Sequence, residues 1–515
     1  EGTNEYFKNL GERIHKHYDS KVYIVDPTDE RNFTTTNFSK LKRLLSFNVI
    51  QAQRDLGDIT TKEKDFLGKI VGEIFNNSSL ENAPEDIRRK SKDLEAVIDD
   101  MQKTVDSDFR DKVDALLPAL QIFGYPGLSD PNLTTETTLN IQNILESNTR
   151  VKYKNEGCMA LPESYNGLGS RNLIYILFQL YDYFIKFQSN SIPPKTHIIC
   201  IEEPEAHLHP QMQEVFVRKL NDIVQQFSKT LNNGQPWPVQ FVVSTHSSHI
   251  ANEAPFDSIR YFMTRKKKYN ETTIKDLHLE FNEVDSKEDR DFIHKYLTLT
   301  RCDLFFADKT ILFEGPTERV LLPEFIKRID RAKVVNLSNQ YISSLEIGGA
   351  YAHHFYKFLD FLELKSVVIT DIDSTKKDDE DSKYKKCPVN RGTHTSNAGL
   401  KKWFSESEDE IVLSDIMEKG DEKKIDGYRR IAFQVSEQGT TACGRSFEDA
   451  FILANKKLFK VDKKSDIETE EAAYLKAELI ANSSKMNFAL GIGLFEENWS
   501  VPRYIEEALL WLAEN

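Results

Sequence analysis

Short apolar runs that stop at acidic or polar residues recur along the chain and predict buried strands. They are His197–Ile201, Val239–Val243, Thr310–Phe313 and Val367–Thr370. Brief runs of strand-forming residues bounded by turn residues are typical of buried strands. Stretches with apolar residues at helical spacing separate them, and this alternation predicts parallel sheets flanked by helices. The predicted fold class is therefore α/β.

The first third of the chain has a different pattern. Residues 62–118 are rich in Lys, Glu, Asp, Leu and Ile, with apolar residues at helical spacing and few breakers. They predict two or three amphipathic helices, a helical insertion over about 62–130 that packs on its own domain or on a second subunit. Short strands are predicted at Val22–Val25 and Phe47–Ile50.

Carboxylates follow two of the predicted strands. Glu314 and Glu318 come after the first, and Asp371 and Asp373 after the second. Open α/β sheets place their chemistry beyond the carboxyl ends of the strands. Alternation would put both aspartates on one side of the strand end, and a helix after Gly315 would bring Glu318 near Glu314. Four carboxylates there would repel one another without a cation, so the pattern predicts an acidic metal cluster.

A second group of polar residues lies upstream. Glu202 and Glu203 follow one predicted strand, and His246 follows the next, with a crossover helix between them. A right-handed βαβ unit places Glu203 and His246 side by side at one sheet edge. The loop Asn166–Gly169 opens a predicted helix, where free N–H groups attract anions. A tight turn that needs its glycines is the alternative interpretation of that loop.

Length and composition limit the classes of protein. The 515 residues predict two or three domains, and neither a signal peptide nor a membrane-length apolar run is present. Five scattered cysteines favour a reduced, cytoplasmic location. The net charge of −14 argues against a protein that coats DNA without specificity, although it does not exclude a DNA enzyme.

Residues 163–249 resemble the second half of an ABC-type ATPase head of the SMC and RecF-like group. The resemblance implies ATP binding with Mg²⁺, with Glu203 as general base and His246 as sensor of the γ-phosphate. The residues implied to bind ATP are Asn166, Gly167, Gly169, Glu202, Glu203 and His246. No Gly-x-x-x-x-Gly-Lys-Ser/Thr loop is present, and residue 1 is Glu. We therefore expect the N-terminal part of the head to be missing from this chain.

From Thr310 onward the chain resembles a Toprim domain, and the order of the two domains resembles the OLD (overcoming lysogenization defect) nucleases and the Gabija antiphage nuclease subunit. The resemblance implies a two-ion Mg²⁺ or Mn²⁺ site, with Lys485 stabilising the charge on the scissile phosphate. The implied metal ligands are Glu314, Glu318, Asp371, Asp373 and either Glu448 or Asp449. The Glu448–Asp449 pair as a helix N-terminal pair, and Lys485 as a solvated lysine, are the alternatives.

The expected protein is an ATP-regulated DNA endonuclease of antiphage defence. We expect an ATPase domain over residues 1–300 and a Toprim nuclease domain over 301–515. The resemblance implies DNA as substrate, a homodimer or tetramer formed through the heads and helical insertion, and a UvrD-like helicase partner in Gabija systems. The alternatives are a non-cleaving nucleotide sensor that switches a partner and a RecF/SMC-like repair factor. The carboxylate set speaks against the repair factor, because a scaffold gains nothing from their repulsion.

Overall fold

A computed structural model gives the fold. It describes residues 16, 18–53, 70, 72–74, 77, 85–121, 152–154, 160–162, 167–190, 192–231, 234–266, 270–281, 287–300, 303–333, 335–348, 351–378, 383–404, 411–496 and 498–514. The chain divides into two compact units, Glu1–Ile250 and Ala251–Asn515. Within the described residues, no helix is both long and apolar enough to cross a membrane.

The first unit combines three short sheets with long helices. Its strands are β1 (Val22–Asp26), β2 (Asp29–Thr36), β3 (Leu45–Ile50), β4 (Lys152–Lys154), β5 (Ala160–Pro162), β6 (Thr196–Glu202) and β7 (Val239–Ser244). Its helices are α1 (Phe38–Leu44), α2 (Glu85–Gln121), α3 (Leu168–Gln188), α4 (Pro210–Leu231) and α5 (Ser248–Glu253), the last of which continues into the second unit. The predicted strands at 22–25, 47–50, 197–201 and 239–243 are confirmed.

A parallel sheet in the order β3-β6-β7 organises the first unit. Alternate residues of β6 are buried, including Ile199 and Ile201. They pack with Phe184 of α3, Phe216 of α4 and Trp237 in one apolar core. The sheet thereby holds the carboxyl ends of β6 and β7 next to each other, as the βαβ interpretation requires.

The helical insertion is simpler where it is described. A single 37-residue helix, α2, runs without interruption from Glu85 to Gln121. At 1.5 Å per residue it is about 55 Å long. Residues 70, 72–74 and 77 are helical as well, so the predicted helical insertion is confirmed where it is described, with one long helix across 85–121. Residues 122–130, the last part of the predicted insertion, lie outside the described residues.

The second unit contains most of the described elements. Its strands are β8 (Arg260–Lys266), β9 (Asn270–Asp276), β10 (Lys309–Phe313), β11 (Ile342–Glu346), β12 (Lys365–Ile369), β13 (Ser374–Lys377), β14 (Tyr384–Lys386), β15 (His394–Thr395), β16 (Ile425–Asp426) and β17 (Arg429–Ala432). Its helices are α6 (Leu277–Glu280), α7 (Lys287–Thr300), α8 (Pro316–Lys333), α9 (Tyr356–Leu362), α10 (Ala398–Phe404), α11 (Leu413–Met417), α12 (Phe447–Ala454), α13 (Lys456–Phe459), α14 (Asp466–Ser483), α15 (Lys485–Phe495) and α16 (Arg503–Ala513).

A five-stranded sheet in the order β11-β10-β12-β17-β16 forms the centre of the second unit. The first four strands are parallel, and β16 is an antiparallel edge. Leu312 and Val368 belong to one apolar core, whereas Ile311, Phe313 and Val367 belong to another. Residues that alternate along a strand point to opposite faces, so the sheet is covered on both sides. This confirms the predicted parallel sheet with helices on both faces.

The sequence pattern places two further strands of this half too early. It predicts a strand near Val334, which lies outside the described residues, and β11 begins at Ile342. It also predicts a strand over residues 256–262, but β8 begins only at Arg260, because Phe256–Ser258 form a 3₁₀ turn. In both places the apolar residues fill a core from outside the sheet, as Leu337 and Phe256 do. Burial without strand pairing gives the same pattern in sequence.

The segment before β10 packs with the second unit. Phe256, Phe281 and Ile293 are buried in the core that contains Leu312 and Phe358. The sequence pattern instead assigns this segment, up to about residue 300, to the ATPase domain. That boundary stays a prediction, although the division between the compact units lies at Ile250.

Candidate functional site

The predicted acidic residues meet at the carboxyl edge of the five-stranded sheet. Strands β10 and β12 are parallel neighbours, and Glu314 and Asp371 follow their last residues. Glu318 lies in the first turn of α8, with its carboxylate over Gly315. Glu448 lies in the first turn of α12, and Lys485 begins α15. Five elements thus contribute to one site.

Glu314 is held by groups from two other segments. Its Oε1 atom accepts hydrogen bonds from the Asp371 N–H at 2.9 Å, from Asn397 Nδ2 at 2.9 Å and from the Thr370 hydroxyl. Asn397 also donates to Thr370 Oγ1 and to the Asp371 carbonyl, both at 2.8 Å. A carboxylate with this many donors has one orientation, because each bond restricts the same torsions.

The two aspartates have separate partners. Asp371 Oδ1 accepts a hydrogen bond from Gln434 Nε2 at 2.6 Å. Asp373 pairs with Arg445 at 2.5 Å and has a left-handed backbone, with φ of 47°. The pair lies beyond the strand, because β12 ends at Ile369 and the chain turns at Asp373, so strand alternation does not set the direction of these side chains.

The structure separates the roles of Glu448 and Asp449. Asp449 Oδ1 accepts the Ser446 N–H at 2.6 Å and completes a capping box at the start of α12. Glu448 instead accepts hydrogen bonds from Lys485 Nζ at 3.0 Å and from the Thr317 hydroxyl at 3.1 Å. Asp449 therefore has the helix-terminal role that was left open, whereas Glu448 faces the acidic cluster.

Burial and mutual repulsion dominate the electrostatics of this site. Burial, with the negative charges of Glu448 and Glu314, raises the pKa of Glu318 to about 8. Burial and the charge of Glu314 raise the pKa of Asp371 well above its ordinary value. Burial lowers the pKa of Lys485, but the attraction of Glu448 outweighs it and the pKa is raised. The cluster therefore has more negative charge than Lys485 alone can balance.

The side chains are not arranged around a metal position. Among the described residues, no group of three or more His, Cys, Asp or Glu side chains is placed to hold an ion. Donors of the chain instead engage Glu314, Asp371 and Glu448, and they include Asn397, Gln434 and Lys485. The donor chemistry nevertheless fits Mg²⁺ or Mn²⁺, since these ions take carboxylate oxygen ligands and would relieve the repulsion.

Sequence reasoning missed the amides that orient the carboxylates. Asn397 is 3 % exposed and Gln434 is fully buried. Asn397 ends a Thr-His-Thr-Ser-Asn segment, and Gln434 lies two residues after the buried strand β17. A polar residue just beyond a buried strand is the signal in the sequence that points to Gln434.

The second candidate site lies at the carboxyl edge of the three-stranded sheet. Glu203 Oε1 is 3.7 Å from His246 Nε2, so the βαβ unit brings these residues together as predicted. Their side chains are 47 % and 82 % exposed. Glu202 accepts a hydrogen bond from the Ala52 N–H at 3.0 Å. Glu203 has a left-handed backbone, with φ of 41°, a conformation often found at functional sites.

A layer of polar side chains holds the loop that contains His246. Glu205 Oε1 accepts the Thr245 hydroxyl at 2.8 Å and the His246 N–H at 2.7 Å. Gln213 and Glu214 of α4 bind Ser247 and His249. Glu205 was not among the predicted site residues, although it stands in the same acidic run as Glu203.

The glycine loop contacts the segment after Glu203. A Cβ atom on Gly169 would lie 2.5 Å from the His207 carbonyl oxygen, so only glycine fits. Asn172 of α3 donates hydrogen bonds to the Pro204 and Ala206 carbonyls. Gly167 precedes α3 as its N-cap. Asn166 lies outside the described residues, so its predicted contact with ATP is not located.

Two domain families match the sequence. Residues 4–251 match the AAA ATPase domain, and residues 305–373 match the TOPRIM domain of overcoming-lysogenization-defect-like proteins. The first match covers the three-stranded sheet with Glu203 and His246. The second covers Glu314, Glu318, Asp371 and Asp373. The predicted domain types and their order are confirmed.

Curated relatives carry related names. The chain is 32 % identical over 412 residues to "Endonuclease GajA" of Bacillus cereus (strain HuB5-5), which covers 73 % of this chain and 57 % of that protein. It is 24 % identical to "OLD nuclease" of Thermus scotoductus, over 39 % of this chain and 34 % of that protein. The chain thus spans less than two thirds of the length of these relatives. A solved C-terminal region of the Burkholderia pseudomallei OLD protein aligns at 20 % identity, over 40 % of this chain and 97 % of that structure, with a TM-score of 0.25.

Proposed function

We propose that this chain, which joins an AAA ATPase domain to an OLD-like TOPRIM domain, is a divalent-metal-dependent DNA endonuclease under nucleotide control. Relatives named as endonuclease and nuclease support the activity. One observation carries the proposal: Glu314, Glu318, Asp371 and Glu448 converge with Lys485 at one sheet edge. The family resemblance supports a role in antiphage defence.

The acidic cluster is the proposed metal centre. Glu314, Glu318, Asp371 and Glu448 would hold the ions, with Asp373 at the margin because Arg445 already pairs with it. We leave Asp449 out, since its carboxylate caps α12. Bound divalent ions activate water and relieve charge on the leaving oxygen in phosphodiester hydrolysis.

The remaining residues of the site act on the substrate and on the carboxylates. Lys485 is a compact cation, so it suits a non-bridging oxygen of the scissile phosphate. Asn397 and Gln434 fix the orientation of Glu314 and Asp371. Hydrogen bonds that pre-orient ligands reduce the reorganisation needed when the substrate binds.

The head would supply the control. We assign Glu203 as general base for ATP hydrolysis, His246 as sensor of the γ-phosphate and Glu202 as a Mg²⁺ contact. The contact between Glu203 and His246 supports this assignment. Gly167 and Gly169 would meet ATP bound by a partner head. Assembly through the heads, a helicase partner and a cytoplasmic location stay predictions.

A plasmid-cleavage assay with the full chain tests the nuclease. With Mg²⁺ or Mn²⁺ we expect nicking or linearisation, measured with and without ATP. Glu314→Gln and Asp371→Asn should each lower the rate at least about 100-fold, because each removes a charged ligand. Glu324→Gln, in the same helix as Glu318 but paired with Arg328, is the control and should cut normally. Equal cutting by all variants would show that the site is assigned wrongly.

The same assay distinguishes the endonuclease from a second candidate function, a nucleotide sensor that does not cleave DNA. That function is favoured only by the exposed Glu203–His246 pair, which a sensor would share. It predicts no cleavage by the wild type and loss of ATP turnover in Glu203→Gln. The endonuclease predicts cleavage, whatever the effect of Glu203→Gln on ATP.

A further inference from the structure

A short basic β-ribbon extends directly from the candidate nuclease site. We call residues 374–377 and 384–386 the lysine ribbon; they form β13 and β14, which pair antiparallel. Strand β13 starts immediately after Asp373. Four exposed lysines lie on the ribbon, and they are Lys376, Lys377, Lys385 and Lys386. The segment that connects the two strands carries four acidic residues, Asp378 to Asp381, so the excess of positive charge lies on the strands themselves.

The charges of the ribbon are arranged at a cost to its own stability. Lys376 is directly opposite Lys385 in the ladder, on the same face of the ribbon. Like charges in that position destabilise a pair of strands, by about 0.2–1 kcal/mol. Lys385 is paired with Asp378. Within the described part of the chain, neither Lys376 nor Lys377 forms an ion pair. An external anion that contacts Lys376 and Lys377 would therefore relieve the repulsion on this face of the ribbon.

The ribbon is fixed relative to the site. Lys386 pairs with Glu478 at 2.5 Å, and Arg391 pairs with Glu471, both carboxylates lying on α14. Arg445, which pairs with Asp373, also donates a hydrogen bond to the Ser374 carbonyl at 3.2 Å. These contacts make the ribbon a rigid extension of the site, so its lysines have a defined position beside the carboxylates.

The distance suits a neighbouring phosphate. Lys376 is three residues beyond Asp373, and an extended chain rises about 3.3 Å per residue. The two Cα atoms are therefore at most about 10 Å apart. One strand of a duplex carries a phosphate about every 3.4 Å along the helix axis. The lysines thus lie within a few phosphates of any group bound by Glu314 and Asp371.

We propose that the lysine ribbon binds the sugar-phosphate backbone of DNA next to the scissile phosphate, through Lys376, Lys377 and Lys385. This inference rests on the proposed endonuclease function and names the surface that receives its substrate. Lysine on a strand contacts phosphate as a point charge and reads no sequence, so the ribbon contributes affinity and register without base preference.

Salt-dependent binding of a fluorescent 30-base-pair duplex, measured by anisotropy in EDTA, tests the ribbon without cleavage. The double variant Lys376→Gln/Lys377→Gln should weaken binding about 10- to 100-fold near 0.1 M salt. It should also lower the slope of log K against log salt by about 2, since each phosphate contact contributes about 0.9. Lys376→Arg/Lys377→Arg should restore both values.

A matched control removes two positive charges from a surface outside the lysine ribbon. Lys463→Gln/Lys464→Gln changes two adjacent exposed lysines just before the start of α14. They lie at the opposite end of this helix from Lys485, which belongs to the candidate site. It should leave affinity and slope unchanged. Unchanged binding by the Lys376→Gln/Lys377→Gln variant, equal losses in both pairs, or no binding by the wild type would overturn the proposal. Weakened binding by the Lys376→Gln/Lys377→Gln variant, together with a wild type that binds DNA but does not cut it, would support the ribbon and reject the endonuclease.

Discussion

The two parallel sheets end in carboxylates with opposite surroundings. Glu203 is about half exposed and faces His246 at the edge of a three-stranded sheet. Glu318 is 5 % exposed and lies among other acids at the edge of a five-stranded sheet. Both edges follow the rule that α/β chemistry lies beyond the strand ends. The two edges differ in the side chains that surround these carboxylates.

The buried edge is already organised, and the exposed edge is open. Asn397 and Gln434 orient the carboxylates at the edge of the five-stranded sheet. These carboxylates repel one another in the folded chain. At the three-stranded sheet, Glu205 holds the His246 loop through backbone, while the imidazole itself faces solvent. A cation at the buried edge would therefore relieve repulsion that is already present. At the exposed edge, the side chains of Glu203 and His246 are accessible to a ligand.

The largest expected effect is the dependence of the unfolding free energy on pH that results from the ionisation of Glu318. Its folded pKa of about 8 exceeds the ordinary 4.5, so folding becomes less favourable as pH rises from 4.5 through 8. Without metal, Glu318→Gln should therefore raise the free energy of unfolding at pH 8.5 by up to about 4 kcal/mol, and little at pH 5.

Urea unfolding followed by tryptophan fluorescence measures this effect. A Trp237→Phe background leaves Trp403, Trp499 and Trp511, which all lie in the second unit. Divalent metal should stabilise the wild type more at pH 8.5 than at pH 5. A variant that gains the same stability at both pH values would contradict the burial of this charge.

The next largest effect is expected in the first unit, with the opposite sign. Burial lowers the pKa of His197 from 6.5 to about 4, and its ring lies between Asn48 and Trp237. The neutral form is kept in the folded state, so stability is present above pH 6.5 and is lost as pH falls towards 4. The loss should reach about 3 kcal/mol.

Trp237 reports this transition directly, because its Nε1 donates to His197 Nδ1 at 3.2 Å. Unfolding free energies at pH 7, 5.5 and 4 should decline for the wild type more steeply than for His197→Gln. Parallel curves would show that this histidine does not titrate between the two states.

The smallest effect concerns the amide that orients Glu314. Asn397→Ala should lower the cleavage rate about 10- to 100-fold and raise the metal concentration needed for half-maximal rate, as loss of a ligand's hydrogen-bond partner does. ATP turnover should be unchanged. Asn455→Ala is the control, because Asn455 is also buried and donates to two carbonyls away from the site. A rate change with unaltered metal dependence would indicate a structural role alone.

Local patterns predicted the strands and the acidic positions, because each depends on neighbouring residues. The runs at 310–313 and 367–370 end at the carboxylates that meet in the structure. The patterns could not decide between Glu448 and Asp449, since either suits a helix N-terminus and only the capping hydrogen bonds distinguish them. They also missed Asn397, because its hydrogen bond to Glu314 joins segments 83 residues apart. The strands β13 and β14 were missed for a different reason, since each is short and rich in lysine and lacks the apolar residues that mark a strand.

The left-handed backbone of Asp373 limits which replacements are informative there. Aspartate and asparagine tolerate this conformation, whereas most other L-residues lose roughly 1–2 kcal/mol in it. Asp373→Asn therefore removes the charge and keeps the turn that leads into β13. Asp373→Ala or Asp373→Glu changes side chain and backbone energy together, so a conventional alanine scan would exaggerate the importance of this carboxylate.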